Sequence, residues 1–223
     1  TGYFKRSMTF NGITHNANTN GNPGFTDLFV AKATISGNDV WAQTSDGYGS
    51  DGGKGIAVAS TGDVYIAGYH ANNAHFGATT LQLSQNSCGF NPSEGLVAKL
   101  DSSGNWLWAI SQYGCHYEKG ISIEVTPGDN IVFSIDYTNQ LYLSDISGVT
   151  PASPYSSISN HGIAIVKMKS SGVFMWYDVV RAYDNHLVDL EISPTGDISL
   201  CGFGTNYGGL ISSHSNSQFD NQW

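Results

Sequence analysis

Val97-Ala98-Lys99, followed by Ser103-Gly104 and Trp108, is the stretch that decides the fold, because the chain contains it three times. The other two copies stand 67 residues before it and 68 residues after it, at Val30-Ala31-Lys32 with Ser36-Gly37 and Trp41, and at Ile165-Val166-Lys167 with Ser171-Gly172 and Trp176. A Gly-Asp pair repeats with similar spacing, at Gly62, Gly128 and Gly196. Repetition at a long, nearly fixed period is typical of stacked or radial repeat architectures.

Each repeat reads as two β-hairpins. Residues 55–59 and 64–69 are short apolar runs separated by the polar segment 60–63, a pattern that predicts a hairpin. A second pair of apolar runs, 96–100 and 106–110, flanks a tight turn centred near Ser102-Ser103. The connection between the two hairpins, residues 71–94, is rich in Gly, Asn and Pro at its ends and is predicted to be mainly loop. The alternative is that it adds a short edge strand, since it contains Phe76-Gly77 and Thr79-Thr80-Leu81.

Four short antiparallel strands per repeat predict an all-β fold, and specifically a β-propeller built from four-stranded blades. The prediction is one domain, residues 1–223, with repeat units at about 1–54, 55–119 and 120–186 and a partial unit at 187–223. Propellers usually close with about 4 to 8 blades, so about three repeats do not complete a ring. We therefore expect a fragment of a larger propeller, with further blades from the same chain or from another copy.

The first copy of the repeat also carries a family resemblance. It runs from Asp27-Leu28-Phe29-Val30-Ala31-Lys32 through Ser-Gly-Asn, Trp and a Gly/Asp-rich loop to Gly55-Ile56-Ala57-Val58, and ends on residues 62–69, Gly-Asp-Val-Tyr-Ile-Ala-Gly-Tyr. This pattern resembles the SBBP-type bacterial β-propeller repeat, and the resemblance covers most of the chain. It implies a propeller fold and a surface or secreted setting. It implies no catalytic residues, because the family shares no catalytic motif.

The composition excludes two classes of function. The formal net charge is -9, and Lys5-Arg6 is the one adjacent basic pair, so the chain would repel the phosphate backbone of a nucleic acid. No apolar run approaches the roughly 18 residues of a membrane-spanning helix. We expect neither a nucleic-acid partner nor a membrane span.

Strand alternation assigns the tight turns to one end of the sheets and the long connections to the other, which we call the loop end. Its segments are 44–54, 71–94, 111–119, 138–160 and 182–186. Binding residues concentrate in loops on a rigid scaffold, and aromatic side chains are enriched at interfaces. The predicted ligand-binding residues are the loop aromatics Tyr48, Phe90, Tyr113, Tyr117 and Tyr155.

Two of the three cysteines are predicted to pair. The register of the second hairpin places Cys88 and Cys115 just past the same open end, where their Cα atoms could approach within the roughly 7 Å that a disulfide needs. The alternative is two unrelated loop thiols. A bridge would indicate maturation in an oxidising compartment. Cys201 aligns with Ala67 and is predicted to be a small buried residue.

Metal and acid–base chemistry have weak candidates. Asp46 and Asp51 could offer oxygen ligands to calcium, but their spacing is not that of an EF-hand and turn chemistry explains them more simply. His70, His75, or His116 with Glu118, could act as ligands or as an acid and a base, but solvated polar residues are the favoured interpretation. We predict no metal and no cofactor.

The tryptophan and lysine that recur in all three copies of the repeat are predicted to be structural. Trp41, Trp108 and Trp176 hold the same place in the fourth strand, which favours equivalent packing sites over sugar stacking. Lys32, Lys99 and Lys167 are predicted to lay their stems along the sheet with the ammonium groups outward.

Two function hypotheses remain. The favoured one is a non-catalytic surface or secreted module, extracellular or on the cell surface, that binds protein or glycan or helps to assemble an extracellular structure. The alternative is the propeller domain of a carbohydrate-active hydrolase or lyase, with catalytic carboxylates among the loop acids Asp46, Asp51, Glu118 and Asp184.

Overall fold

The computed structural model describes residues 1–18, 22, 24–84, 92–148, 155–180 and 185–204. These residues form strands and connecting turns without any helix, so the all-β prediction is confirmed for them. The strands are β1 Gly2–Phe4, β2 Ser7–Phe10, β3 Ile13–Asn16, β4 Asp27–Ala33, β5 Asp39–Thr44, β6 Asp46–Gly47, β7 Gly52–Val58, β8 Val64–His70, β9 Ala74–Phe76, β10 Thr79–Leu81, β11 Glu94–Leu100, β12 Trp106–Gly114, β13 Lys119–Val125, β14 Ile131–Tyr142, β15 Tyr155–Met168, β16 Phe174–Val180, β17 Asn185–Ile192 and β18 Ile198–Gly204.

Eight strands belong to one antiparallel hydrogen-bonded sheet, in the order β16-β15-β14-β12-β11-β8-β7 with β13 paired beside β14. β12 and β14 meet over two residue pairs only, Tyr113 with Tyr142 and Gly114 with Leu141. This short pairing forms a corner in the sheet. The strands on one side of the corner are β7, β8, β11 and β12, those on the other side are β13 to β16, and each set pairs in chain order. We call β7, β8, β11 and β12 layer 2, and β13 to β16 layer 3. Layer 1 is β1, β4 and β5, and layer 4 is β17 with β18.

Buried apolar clusters fill the spaces between successive layers. Val30 lies in the cluster between layers 1 and 2, Val97 in the one between layers 2 and 3, and Ile165 in the one between layers 3 and 4. These three residues are equivalent in the repeat, so the same position faces the following layer each time. Neighbouring residues of a strand point to opposite faces, and therefore Val97 and Ala98 are both fully buried.

The repeated tryptophans also pack between successive layers. Trp108 is buried between layers 2 and 3, while Trp41 and Trp176 pack against the clusters on either side of it. The predicted packing role is confirmed. A Cβ added to Gly104 would lie 2.8 Å from the Trp41 ring, so the turn of one layer must be glycine to admit the tryptophan of the layer before it.

The connections contain more regular structure than the sequence predicted. β2 and β3 form a hairpin through Asn11-Gly12, both at positive φ, and β9 with β10 forms another that extends β6. Residues 71–94 therefore contain the short strand that the sequence left open as an alternative, together with a second one paired to it. The predicted loop 138–160 is wrong at both ends, because β14 continues to Tyr142 and β15 begins at Tyr155.

The register of the β11–β12 hairpin also differs from the expected one. Val97 pairs with Ile110, so the hairpin is centred on Ser103-Gly104 rather than on Ser102-Ser103. The cause is the turn: Gly104 at φ +90° donates its N–H to the Asp101 carbonyl, and Asp101 donates to the Asn105 carbonyl. A bulge between Lys99 and Leu100 completes the shift.

Candidate functional site

The loop end is built from the ends of neighbouring strands. In layer 2, Gly52 pairs with Tyr69, Glu94 with His70 and Gly95 with Gln112, so the starts of β7 and β11 meet the ends of β8 and β12. In layer 3, the start of β13 lies at this same end. A Cβ added to Gly120 at the start of β13 would lie 2.7 Å from the amide nitrogen of Gly68 near the end of β8. The predicted separation of tight turns and long connections agrees with this register.

Two of the five predicted aromatic residues are exposed in connections. Tyr48 is 49% exposed and Tyr117 is 48% exposed. Tyr113 and Tyr155 belong to β12 and β15 rather than to loops, because those strands extend further than predicted. Phe90 lies outside the described residues.

Tyr113 has a partner that the sequence did not identify. Its half-buried ring stacks on Tyr142, with 5.2 Å between ring centroids and 12° between planes. The two residues are directly paired at the corner between β12 and β14. Tyr142 was missed because the segment from residue 138 was predicted to be loop. Tyr113 lies near the end of β12 and Tyr117 lies in the connection to β13, so both belong to the loop end.

A buried polar cluster lies in layer 2 at the same end of the strands. His70 and Glu94 face each other across β8 and β11, with 3.6 Å between Nε2 and Oε2, and the Ser111 hydroxyl contacts the same ring nitrogen. His70 is fully buried, so its prediction as a solvated residue is wrong. Both strands lie inside layer 2, and the layer is covered on each face.

Glu118 is a buried member of this cluster. Its N–H donates to the Ser93 carbonyl at 2.9 Å, and its side chain lies over Gly114, where a Cβ would stand 2.7 Å from Oε1. Burial raises the pKa of Glu118 to about 8, and the nearby Glu94 carboxylate contributes. The amides of Thr138 and Gly114 lower the pKa, but by less. The Glu118 carboxyl is therefore held mainly protonated at neutral pH.

Asp51 stabilises the backbone around it. Ala71 donates its N–H to Oδ1 at 3.1 Å, and the Asp51 N–H donates to the Thr26 carbonyl at 2.7 Å. Burial raises the pKa of Asp51 to about 7; the Ala71 amide, the charge of His70 and the Ser45 hydroxyl oppose this effect.

Asp46, by contrast, is exposed and accepts a hydrogen bond from Asn18 Nδ2 at 2.9 Å. Asp184 lies outside the described residues. Among the residues that the structure describes, no group of three or more His, Cys, Asp or Glu side chains could hold a metal ion. The weak candidates Asp46 and Asp51 instead contact protein groups.

A second polar cluster was missed by sequence reasoning. His186 Nδ1 lies 3.3 Å from Asp136 Oδ2, the Leu187 N–H donates to Asp136 Oδ1 at 3.4 Å, and the His161 ring centroid is 5.5 Å from that of His186. Burial raises the pKa of Asp136, and the hydrogen bond from His186 lowers it by less. These residues are far apart in sequence and meet only because β15 pairs with β14 and layer 4 packs on layer 3.

The cysteines divide into one bonded and one free residue in the described part of the chain. Cys115 is disulfide-bonded, and Cys201 carries a free, exposed thiol. The prediction of a buried Cys201 is wrong, because its equivalent Ala67 is covered by β11, whereas β18 pairs only with β17 among the described strands. Cys88 lies outside the described residues, and its pairing with Cys115 stays a prediction.

Comparison with known proteins adds no relative. No protein-family model matches the chain, and a search of curated proteins gave no match. The SBBP-type resemblance therefore stays a prediction. In the described ranges, no helix has the length and apolar character that crossing a membrane would require.

Proposed function

We propose that the chain is part of a β-propeller and acts as a non-catalytic extracellular module that binds a protein or glycan ligand at its loop end. Two features support the propeller: layers 1 to 4, of which layers 2 and 3 have four strands each, stack through equivalent faces, and the first strands of layers 2, 3 and 4 lie side by side. Radial repetition of four-stranded sheets leaves only short protected edges, which suits a chain with these repeats.

The observation that carries the binding role is the aromatic surface at the loop end. Tyr117 and Tyr48 are about half exposed, and the stacked pair Tyr113 and Tyr142 lies at the end of β12 that leads into the connection carrying Tyr117. Tyrosine offers a large, rigid and amphipathic contact area at low entropic cost, which is why it is enriched at binding surfaces. A stacked pair and exposed tyrosines at the same end of the sheets are suited to a flat apolar ligand surface.

The carboxylates favour binding over hydrolysis. A catalytic acid has to contact the substrate, but Asp51 and Glu118 are both at most 1% exposed, and Asp51 accepts a backbone hydrogen bond. Their raised pKa values follow mainly from burial. The disulfide at Cys115 supports an oxidising, extracellular setting.

A glycan array and a pull-down from extracellular material, each with the purified full chain, test this function. We expect a ligand whose binding falls at least tenfold in Tyr117→Ala and in Tyr48→Ala, since hot-spot aromatics carry roughly 2 kcal/mol or more. Leu107→Ala is the matched control, because Leu107 is 50% exposed but lies beside the tight turn at the other end of β12. Equal loss in all three variants, or hydrolysis of an arrayed glycan, would contradict the proposal.

A further inference from the structure

Lys119 lies at the loop end of layer 3, where its side chain contacts layer 2. It is the first residue of β13, and its Nζ stands 5.1 Å from the centroid of the Tyr69 ring near the end of β8. A Cβ added to the next residue, Gly120, would lie 3.1 Å from Ala67 Cβ, so the start of β13 is packed directly on β8. The ammonium group is thus held over an aromatic face, which is a favourable position for a cation.

Lys54 lies beside the same end of β8, on β7. The pairing of β7 with β8 passes from Gly53 to Gly55, so Lys54 is the extra residue of a bulge. Bulges redirect a side chain, and the Lys54 side chain is exposed. The partner of Gly53 is Gly68, the residue before Tyr69. Two lysines from different layers therefore flank the end of β8.

The two ammonium groups repel each other. Burial lowers the pKa of Lys119 and the charge of Lys54 lowers it further, while the charge of Asp136 raises it by less. In the described ranges, neither lysine forms an ion pair. The chain has 9 basic against 18 acidic residues, so two neighbouring cations without a paired carboxylate are unusual for it. Such a pair is suited to receive an anion.

The repeat shows that the fold does not require this lysine. The equivalents of Lys54 in the other two layers are Ile121 and Val188, each 67 residues further along the chain. Val188 is also the extra residue of a bulge, between Leu187 and Asp189. The bulge therefore belongs to the repeat, whereas the positive charge belongs to layer 2. Backbone geometry explains the bulge but not the choice of lysine.

Asp136 supplies a hydrogen-bond acceptor next to the cations. It pairs with Lys119 across β13 and β14, and it is held by His186, whose Nδ1 lies 3.3 Å from Oδ2, and by the Leu187 N–H. A sugar that carries an anionic group offers both an anion for the lysines and hydroxyl donors for this carboxylate. The carboxylates of an acidic peptide donate no hydrogen bond, and Asp136 would repel them. The mixture of charges therefore favours an acidic sugar.

We propose that Lys54 and Lys119 bind an anion, and that the ligand at the loop end is an acidic glycan whose carboxylate or sulfate lies between the two ammonium groups. Asp136 accepts hydrogen bonds from hydroxyl groups of the same ligand. This inference rests on the proposed binding function and names the class of its ligand. The bound anion removes the repulsion between the two lysines, and charge-assisted hydrogen bonds hold it.

Calorimetric titration of the full chain with an oligouronate, a sulfated oligosaccharide and a neutral oligosaccharide of the same length tests the ligand class. We expect at least one anionic probe to bind about tenfold or more tightly than the neutral one, and its affinity to fall as the salt concentration rises. The two anionic probes distinguish a carboxylate from a sulfate. Equal binding of the neutral probe, or equally tight binding of polyglutamate, would overturn the proposal.

Lysine variants test the site. Lys54→Gln and Lys119→Gln should each weaken binding of the anionic probe about tenfold, and Lys54→Arg should retain most of the affinity. Lys169→Gln is the matched control, because Lys169 is exposed in the tight turn between β15 and β16. In the free protein, Lys54→Gln should raise the pKa of Lys119 in an NMR titration. Equal loss of binding in the control, or no loss in the two Gln variants, would refute the site.

These results separate the inference from the function on which it rests. A neutral glycan or a protein might be the ligand instead, and its binding would then fall in Tyr117→Ala and stay unchanged in Lys54→Gln and Lys119→Gln. That outcome would refute the anion site and leave the binding function standing. The absence of any ligand would refute both.

Discussion

Replacing Glu118 by Gln should make the protein less sensitive to alkaline pH. The folded state raises the pKa of Glu118 from 4.5 to about 8, mainly because the carboxyl is buried. The stability associated with the protonated form is therefore fully present below pH 4.5 and is lost as the pH rises through about 8. Relative to acidic pH, a shift of this size lowers the free energy of unfolding by at most about 5 kcal/mol at pH 9 and by at most about 3 kcal/mol at pH 7.

Urea unfolding followed by tryptophan fluorescence at pH 5, 7 and 9 measures the effect. At pH 5 the wild type and Glu118→Gln should differ by less than about 1 kcal/mol in pH-dependent stability, because Glu118 is protonated in the folded state and pH 5 lies close to its ordinary pKa of 4.5. At pH 9 the variant should be the more stable by several kcal/mol. Asp51 titrates in the same window in both proteins, so the difference between them isolates Glu118. Glu191→Gln, at an exposed position of β17, is the control. A stability difference that stays constant from pH 5 to pH 9 would refute the reasoning.

Three further variants test the packing and the connections. Trp108→Ala should destabilise the protein by about 3 to 5 kcal/mol in urea unfolding, because it opens a cavity between layers 2 and 3. Trp41→Ala should destabilise it less, because the Trp41 side chain is partly exposed. Gln112→Ala should cost about 2 to 3 kcal/mol in the same assay, because Gln112 Nε2 donates to the buried Ser144 carbonyl and Gln112 Oε1 accepts from the Ser144 N–H. His116→Gly should raise the thermal midpoint, with a gain of about 1 kcal/mol, because His116 is held at φ +103°; an unchanged midpoint would indicate that the His116 side chain compensates for the strain.

The candidate site could be predicted only in part. The sequence identified the loop end and its exposed Tyr48 and Tyr117, because strand alternation and turn chemistry are local properties. It did not identify the stacking of Tyr113 on Tyr142, since that contact depends on where β12 pairs with β14. His70 and Glu118 were read as surface residues for a similar reason. Their burial follows from the packing of layers, and residue type alone does not reveal it.

By itself the sequence determined the strands of the repeated hairpins, their tight turns and the equivalent tryptophan sites, because a repeat places the same residues in the same local geometry in every copy. The tertiary structure decided which edges are covered. Ala67 and Cys201 are equivalent in the repeat, yet one is fully buried against β11 and the other is exposed on β18. It also assembled Asp136, His161 and His186 from three strands. Burial and pKa depend on neighbours that are distant in the chain, and the pattern along one strand does not contain them.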